Sequence, residues 1–337
     1  MKRWQVWLGF AVSFLFLFIA FQGLNFREVY AAIRSAEMIW LLPAIPVYMI
    51  GVWLRAFRWK IFLNPLSRIK TKRLFSIVAI GYMGNNIFPA RLGELVRAAI
   101  LKKDEDIAIS GSLATIIIER LFDGIIMLGF ILLNISVISQ MSHGEEIQQT
   151  VDTVAAWGSG IFLFAFLAFL LSAIFPIQSK NIINGIISWI LPEKWYERLF
   201  VIVEKFSTGI QSLSSPIETI KALLISILIW LIETLFYWAI MQAFPFNISF
   251  GTLMLLNGFL NLFTIIPSSP GYIGTFDAPG IALLTALGIS SQIAAGFTLF
   301  LHAALWLPVT LLGAYFFIKE GITWTDTIRQ AKEDQSQ

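Results

Sequence analysis

GYMGNNIFPARLGELVRAAIL, residues 81–101, decides how this chain is read. Its surroundings are apolar, as in a membrane span. Yet it holds Asn85, Asn86, Pro89, Arg91, Gly93, Glu94 and Arg97. Charges at membrane depth are costly and are kept where they face protein or a water-filled cavity. Irregular backbone at that depth has the same restriction. The stretch therefore reads as two helical limbs broken near Pro89 and forming half of a substrate site.

Composition sets the class. The 337 residues are 57% hydrophobic and 13% charged, with a mean hydropathy of +0.77. Soluble domains are roughly 45–50% apolar and about 25% charged. The expected fold class is an all-α polytopic membrane protein, and a soluble enzyme on a single anchor is excluded. The absence of cysteine removes disulfides, thiol nucleophiles and Cys-ligated metals. Of the two histidines, His143 reads as a loop residue and His302 as a packed helix residue. No metal and no cofactor are called for. Basic residues flank the apolar runs and form no stripe, so nucleic acid is not an expected partner.

Charge placement orients the chain. Arg55, Arg58, Lys60, Arg68, Lys70, Lys72 and Arg73 precede the opening stretch, and Lys102 and Lys103 follow it. Lys and Arg concentrate in cytoplasmic loops, so residues 74–100 enter and leave on one side, as a re-entrant hairpin. Residues 4–24 are long enough to span and lack the small-x-small cleavage pattern of a signal peptide. Residues 26–37 form a short amphipathic outer segment. Residues 38–57 span, with Arg55 and Arg58 beside Trp53 and Trp59 as an interfacial anchor. Residues 107–138, 154–175, 222–244 and 293–318 span, and 176–221 lie along the inner leaflet. PSSPGYIGTFDAPG, residues 267–280, breaks a second hairpin entered from outside.

The expectation is about six transmembrane helices plus two re-entrant broken-helix hairpins. Both termini are cytoplasmic in a bacterial-type plasma membrane. Residues 1–320 form the membrane domain and 321–337 a short cytoplasmic tail. The strings NNIFPARLGE and FTIIPSSPGYIG are weakly alike. They suggest an inverted repeat whose broken helices meet near the midplane; the alternative is two unrelated kinks.

Three strings carry a family resemblance: GYMGNNIFPARLGELVRA, then IIIERLFDG at 116–124, then NLFTIIPSSPGYIGTFDA at 261–278. In this order they resemble the flippase-like membrane family, that of the transmembrane region of lysylphosphatidylglycerol synthetase, the multiple peptide resistance factor. The resemblance covers roughly residues 5 to 318. It implies movement of anionic or aminoacylated phospholipids, or of polyprenyl-phosphate lipids, between leaflets. The aminoacyl transferase domain of the fused synthetases is not expected here. Asp277 stands where the family often has Glu, so the acid is kept with one methylene less.

Several constellations could carry the chemistry. Arg91, Glu94 and Arg97 share a wedge of about 120° on a helix. Their guanidiniums suit a lipid phosphate; alternatively the three form an ion-pair network that fixes the hairpin. Ser268, Ser269, Pro270 and Gly271 look like an N-cap with Pro at N1. Helix starts at both breaks would favour an anion, unless they are plain turn chemistry. Gly274 and Asp277 complete that candidate set. Glu119 and Asp123, with Arg120 alongside, could receive a cationic group or neutralise Arg91. Glu233 and Asp277 are lone acids, silent or proton-coupling. Asn86 is a contact candidate, and Asn85, Asn257 and Asn261 tie backbone.

The leading expectation is a lipid flippase. Its alternative is a membrane-embedded transferase on a lipid-linked substrate, including lysyl transfer to phosphatidylglycerol, or the membrane subunit of a split synthetase. Beyond the lipid, self-association and a separate aminoacyl transferase are the partners this admits. No nucleotide-binding loop is present.

Overall fold

The computed structural model describes residues 3–89, 91–134, 216–266 and 268–321, with isolated positions 137, 160, 164 and 167. The outer loop at 140–152, nearly all of the span at 154–175, most of the inner-leaflet segment and the tail beyond 321 lie outside the described residues. So does Pro267.

Every regular element described is helical, and none is a strand. In order they are α1 (Arg3–Phe21), α2 (Phe26–Arg34), α3 (Leu41–Leu63), α4 (Thr71–Ile87), α5 (Leu92–Glu105) and α6 (Ile109–Leu133). Then come α7 (Pro216–Met241), α8 (Phe250–Phe263), α9 (Asp277–Ala286) and α10 (Ser291–Lys319). Short 3₁₀ turns at Met38–Trp40 and Pro270–Tyr272 precede α3 and α9.

A hydrocarbon core of about 30 Å needs about 20 helical residues. Met38–Leu63, Pro216–Met241 and Ser291–Lys319 meet that by length and composition, and Gly9–Phe21 with Phe26–Arg34 does so as a pair bent by 89°. The bend has local causes. Gly23 takes a φ of 74°, and the Asn25 side chain accepts the Arg27 N–H to cap α2. α6 has 25 residues, but Glu119, Arg120 and Asp123 sit in its middle. The expected total of six spans is thus only partly matched among the described residues.

Two boundaries differ from expectation. α3 does not end at residue 57. It runs through Arg55, Arg58 and Lys60 to Leu63, because Ile61, Phe62 and Leu63 continue its buried face. The second break is also shorter than residues 267–280. α9 starts at Asp277 and takes Pro279 into its first turn, where a missing N–H goes unneeded.

The main packing partners are α3 with α7, α4 with α10, and α4 with α5. After the break at 88–91, α5 folds back onto α4 so closely that a methyl on Gly93 would overlap the Gly81 carbonyl. Small residues let membrane helices approach in this way. The limbs of the second pair, α8 and α9, also touch each other, while α8 packs mainly on α6 and α9 on α10. Both breaks are thereby held inside the helical assembly.

Candidate functional site

Arg91, in the first break, and Tyr272, in the second, both adopt left-handed backbone, with φ of 55° and 61°. For residues other than glycine this costs roughly 1–2 kcal/mol each. The two face each other, the Arg91 guanidinium lying 5.6 Å from the centre of the Tyr272 ring. Arg91 Nη2 also donates to the Thr264 carbonyl at 2.9 Å, at the C-terminal end of α8. One side chain thus ties the first break to the second limb pair. Gly271, left-handed at φ 69°, leaves room for the Trp306 indole, whose Nε1 a methyl there would meet at 2.9 Å.

Between the breaks, residues of α3, α4, α6, α7, α8 and α10 line a cavity of about 250 Å³. Its charged lining is Arg55, Arg91, Arg120, Asp123 and Glu233. Its aromatic lining is Tyr48, Tyr82, Tyr272, Trp230 and Trp306, with Phe276 behind His302. Asn86 and Asn261 add amides. The first holds the Thr310 hydroxyl at 2.7 Å, and the second donates to the side-chain oxygen of Asn257 at 2.7 Å.

The charges form an alternating chain. Arg91 lies 3.9 Å from Glu94, and Glu94 lies 2.9 Å from Arg120. Arg120 is 3.8 Å from Asp123, which Arg58 holds at 2.6 Å. Arg58 is 3.9 Å from Glu119, and Glu119 pairs with Arg97 at 2.8 Å. The Arg97 end is closed off, its guanidinium 3.8 Å over the Trp59 ring. The Arg91 end opens on the cavity. A separate pair, Arg55 with Glu233, closes the α3–α7 side.

The chain matches the family described as the lysylphosphatidylglycerol synthase TM region over residues 6–313. It belongs to that family. Among curated proteins it is 23% identical over 334 residues to "Glycosyltransferase AglD" of Haloferax volcanii, covering 93% of this chain and 54% of that protein. It therefore spans about half the length of that relative. A "UPF0104 membrane protein" of Methanothermobacter thermautotrophicus is 23% identical, covering 94% of this chain and 93% of its own length. Another from Methanocaldococcus jannaschii, MJ1595, is 25% identical, covering 92% and 94%. These relatives and the apolar helices make this a membrane-embedded protein.

The residues singled out in the sequence map onto the site unevenly. Asn86, Arg91, Arg120, Asp123, Glu233 and Gly271 line the cavity. Glu94 sits one contact behind, between Arg91 and Arg120. Arg97 and Glu119 are buried further back as a pair. Ser268 is buried off the cavity. Ser269 is engaged with α1: its N–H donates to Ser13 Oγ, which donates to Ser269 Oγ, both at 2.9 Å. Gly274 N–H donates to Asp277 Oδ2 at 2.9 Å, so these two support the break from beneath.

Three expectations need correction. Glu119 and Asp123 do not neutralise Arg91; they hold Arg97 and Arg58. The paired helix starts are met only in part: a helix begins at Leu92 right after the first break, and Ser269 stands at the N-cap of a turn with Pro270 at its start, but no long helix follows there. Pro270–Tyr272 is one 3₁₀ turn with no side-chain cap bond, and α9 begins six residues after Gly271, at an aspartate. Glu233 and Asp277 are not lone acids. Glu233 holds Arg55, and Asp277 Oδ1 meets His302 Nδ1 at 2.8 Å. The other ring nitrogen of His302 faces the Gly271 carbonyl at 2.7 Å.

Arg55 and Arg58 are site residues that the sequence reading placed at the interface. The available signal was the apolar Ile61-Phe62-Leu63 after Lys60, which keeps the helix, and both arginines, inside the assembly. His302 and Trp306 carried no such signal, because their partners lie on remote segments.

Proposed function

We propose that the protein moves the polar headgroup of an anionic lipid across the membrane through the cavity between its two breaks, while the acyl or prenyl tails stay in lipid. The single observation that carries this is Arg91. It stands at the cavity wall on strained backbone, and its nearest carboxylate, at 3.9 Å, belongs more closely to Arg120. A guanidinium so placed is ready for phosphate. In this reading the α4–α5 and α8–α9 pairs are re-entrant and enter from opposite faces, and both termini are cytoplasmic.

The test is reconstitution into liposomes with a fluorescent short-chain phosphatidylglycerol, following its exchange between leaflets. Arg91→Ala is expected to slow exchange about tenfold or more, as loss of a charge-assisted hydrogen bond. Exchange unchanged by that substitution removes the site, and absence of exchange of any anionic lipid removes the function. If a proton drives the movement, the Asp277–His302 pair is the place for it, since imidazole is suited to proton transfer near neutral pH. Glu233 is held by a guanidinium. Any dependence of exchange on a pH gradient should then vanish in Asp277→Asn and persist in Glu233→Gln.

The name of the Haloferax relative favours a second reading, a membrane-embedded transferase acting on a lipid-linked substrate. The acids that could serve as general base, Asp123 and Glu233, are both held by arginines, which engages the oxygens a base would use. Purified protein given an activated sugar or aminoacyl donor separates the readings by whether modified lipid forms. A soluble aminoacyl transferase that co-purifies would instead favour the membrane subunit of a split synthetase.

A further inference from the structure

The charge arrangement says more than that the ligand is an anion. From Arg91 to Arg97 the alternating chain runs through four guanidiniums and three carboxylates, so it carries a surplus of one positive charge. Among the described residues the neighbouring groups do not cancel it. Arg55 and Glu233 balance each other. His302 Nε2 donates to the Gly271 carbonyl and Nδ1 shares a proton with Asp277, and whichever of the two holds that proton the pair is neutral. Of the two ends of the chain, Arg97 is sealed over Trp59 and 6% exposed, and only Arg91 opens on the cavity. At low dielectric an unmatched charge is costly. A single negative charge at Arg91 completes the chain.

The carboxylates on the same wall are already engaged and offer no free oxygen pair to an ammonium. Asp123 already accepts from Arg58 at 2.6 Å and from Trp230 Nε1 at 2.9 Å. Glu233 accepts from Arg55 and Asn261. Aromatic rings can also receive a cation, and two of those on the cavity are already taken, Trp230 by Arg55 at 5.3 Å and Tyr272 by Arg91 at 5.6 Å. The rest of the lining combines tyrosine, tryptophan and asparagine with aliphatic Met127, Leu305 and Val309, and its aromatic and amide groups are surfaces that pack on and hydrogen-bond to hydroxylated carbon.

We infer that the cavity is built for a phosphodiester lipid of charge minus one whose head is an uncharged polyhydroxyl group, and that it discriminates against aminoacylated, net-cationic lipids and against diphosphates. This rests on the headgroup reading above. Two lipid sources share the chemistry, a glycerol-headed phospholipid and a polyprenyl-linked phosphosugar.

Competition binding to the purified full chain in detergent, read by native mass spectrometry, tests it with probes matched in their tails. Dioctanoyl phosphatidylglycerol is compared with its lysyl ester, and farnesyl phosphohexose with farnesyl diphosphate. The unsubstituted protein should prefer the uncharged head over the lysyl ester, and the phosphohexose over the diphosphate, by about tenfold, the scale of one charge-assisted contact. Whichever of the two preferred probes wins against the other names the source. Arg91→Gln cancels the surplus and should largely abolish the preference over the lysyl ester. Glu94→Gln doubles the surplus and should move selectivity toward the diphosphate. A merely structural role for these residues does not shift selectivity in opposite directions. Equal or tighter binding of the lysyl ester by the unsubstituted protein overturns the inference, even if lipid exchange in liposomes is intact. The expected preference without any exchange leaves the inference standing and overturns the translocation reading.

Discussion

Arg55 is 7% exposed and Glu233 6% exposed, and each is the other's counter-ion across α3 and α7. Removing one partner of a buried pair leaves a charge that the interior cannot solvate, which costs about 3–5 kcal/mol. Arg55→Ala should therefore lower the unfolding midpoint in detergent markedly. The joint change Arg55→Met with Glu233→Leu should recover most of the loss, because it removes both charges and keeps the volume. A joint variant no more stable than the single one would contradict this account of the pair. Neither residue advertised its partner, as the two lie 178 positions apart. Such matches are made by packing and leave no trace in local spacing. Arg91, Arg120 and Asp123 were legible, because a charge in an apolar run is conspicuous wherever its partner lies.

At the scale of the element, the first break depends on how tightly its two limbs close. A Cβ on Gly93 would overlap the Gly81 carbonyl and meet the Asn85 backbone N at 2.7 Å. Gly93→Ala should then push α5 off α4, destabilising by about 1–3 kcal/mol as overpacking does, and shift Arg91 from the cavity. Gly124→Ala is the control. Nothing lies within 4 Å of a methyl there, and alanine is the better helix former. Thermal unfolding of the two variants should move in opposite directions. The breaks themselves were legible from Pro89 and the Pro and Gly of residues 267–280. Their extents were not, since Pro279 is compatible with either a loop or a first helical turn.

For the whole molecule, α10 is the ruler. Its 29 residues measure about 43 Å. Near its start, α2 packs beside Gly296. At its end, Glu320 pairs with Arg73, which also holds Asp104 in the last turn of α5. Residues 35 and 103 therefore lie toward opposite ends of the assembly. The sequence has no cysteine, so single cysteines at Ser35 and Lys103, both exposed, can be labelled selectively. With cytoplasmic termini, an impermeant maleimide added outside whole cells should label Ser35→Cys and not Lys103→Cys. The reverse pattern inverts the orientation, and labelling of both or neither contradicts the fold-to-membrane placement.

The sequence by itself determined the solvent, the helical class, the family and the two places where helices break. Those follow from composition and from local rules about apolar runs, proline and glycine, which need no knowledge of neighbours. Only the tertiary structure decided which charges meet. It took Arg55 and Arg58 from the interface into the interior, gave Glu119 to Arg97 and Asp277 to His302, and left Arg91 with the open end of the chain. The reason is that pairing in a low-dielectric interior depends on distances of a few ångströms between remote segments, which helix packing sets and sequence spacing does not.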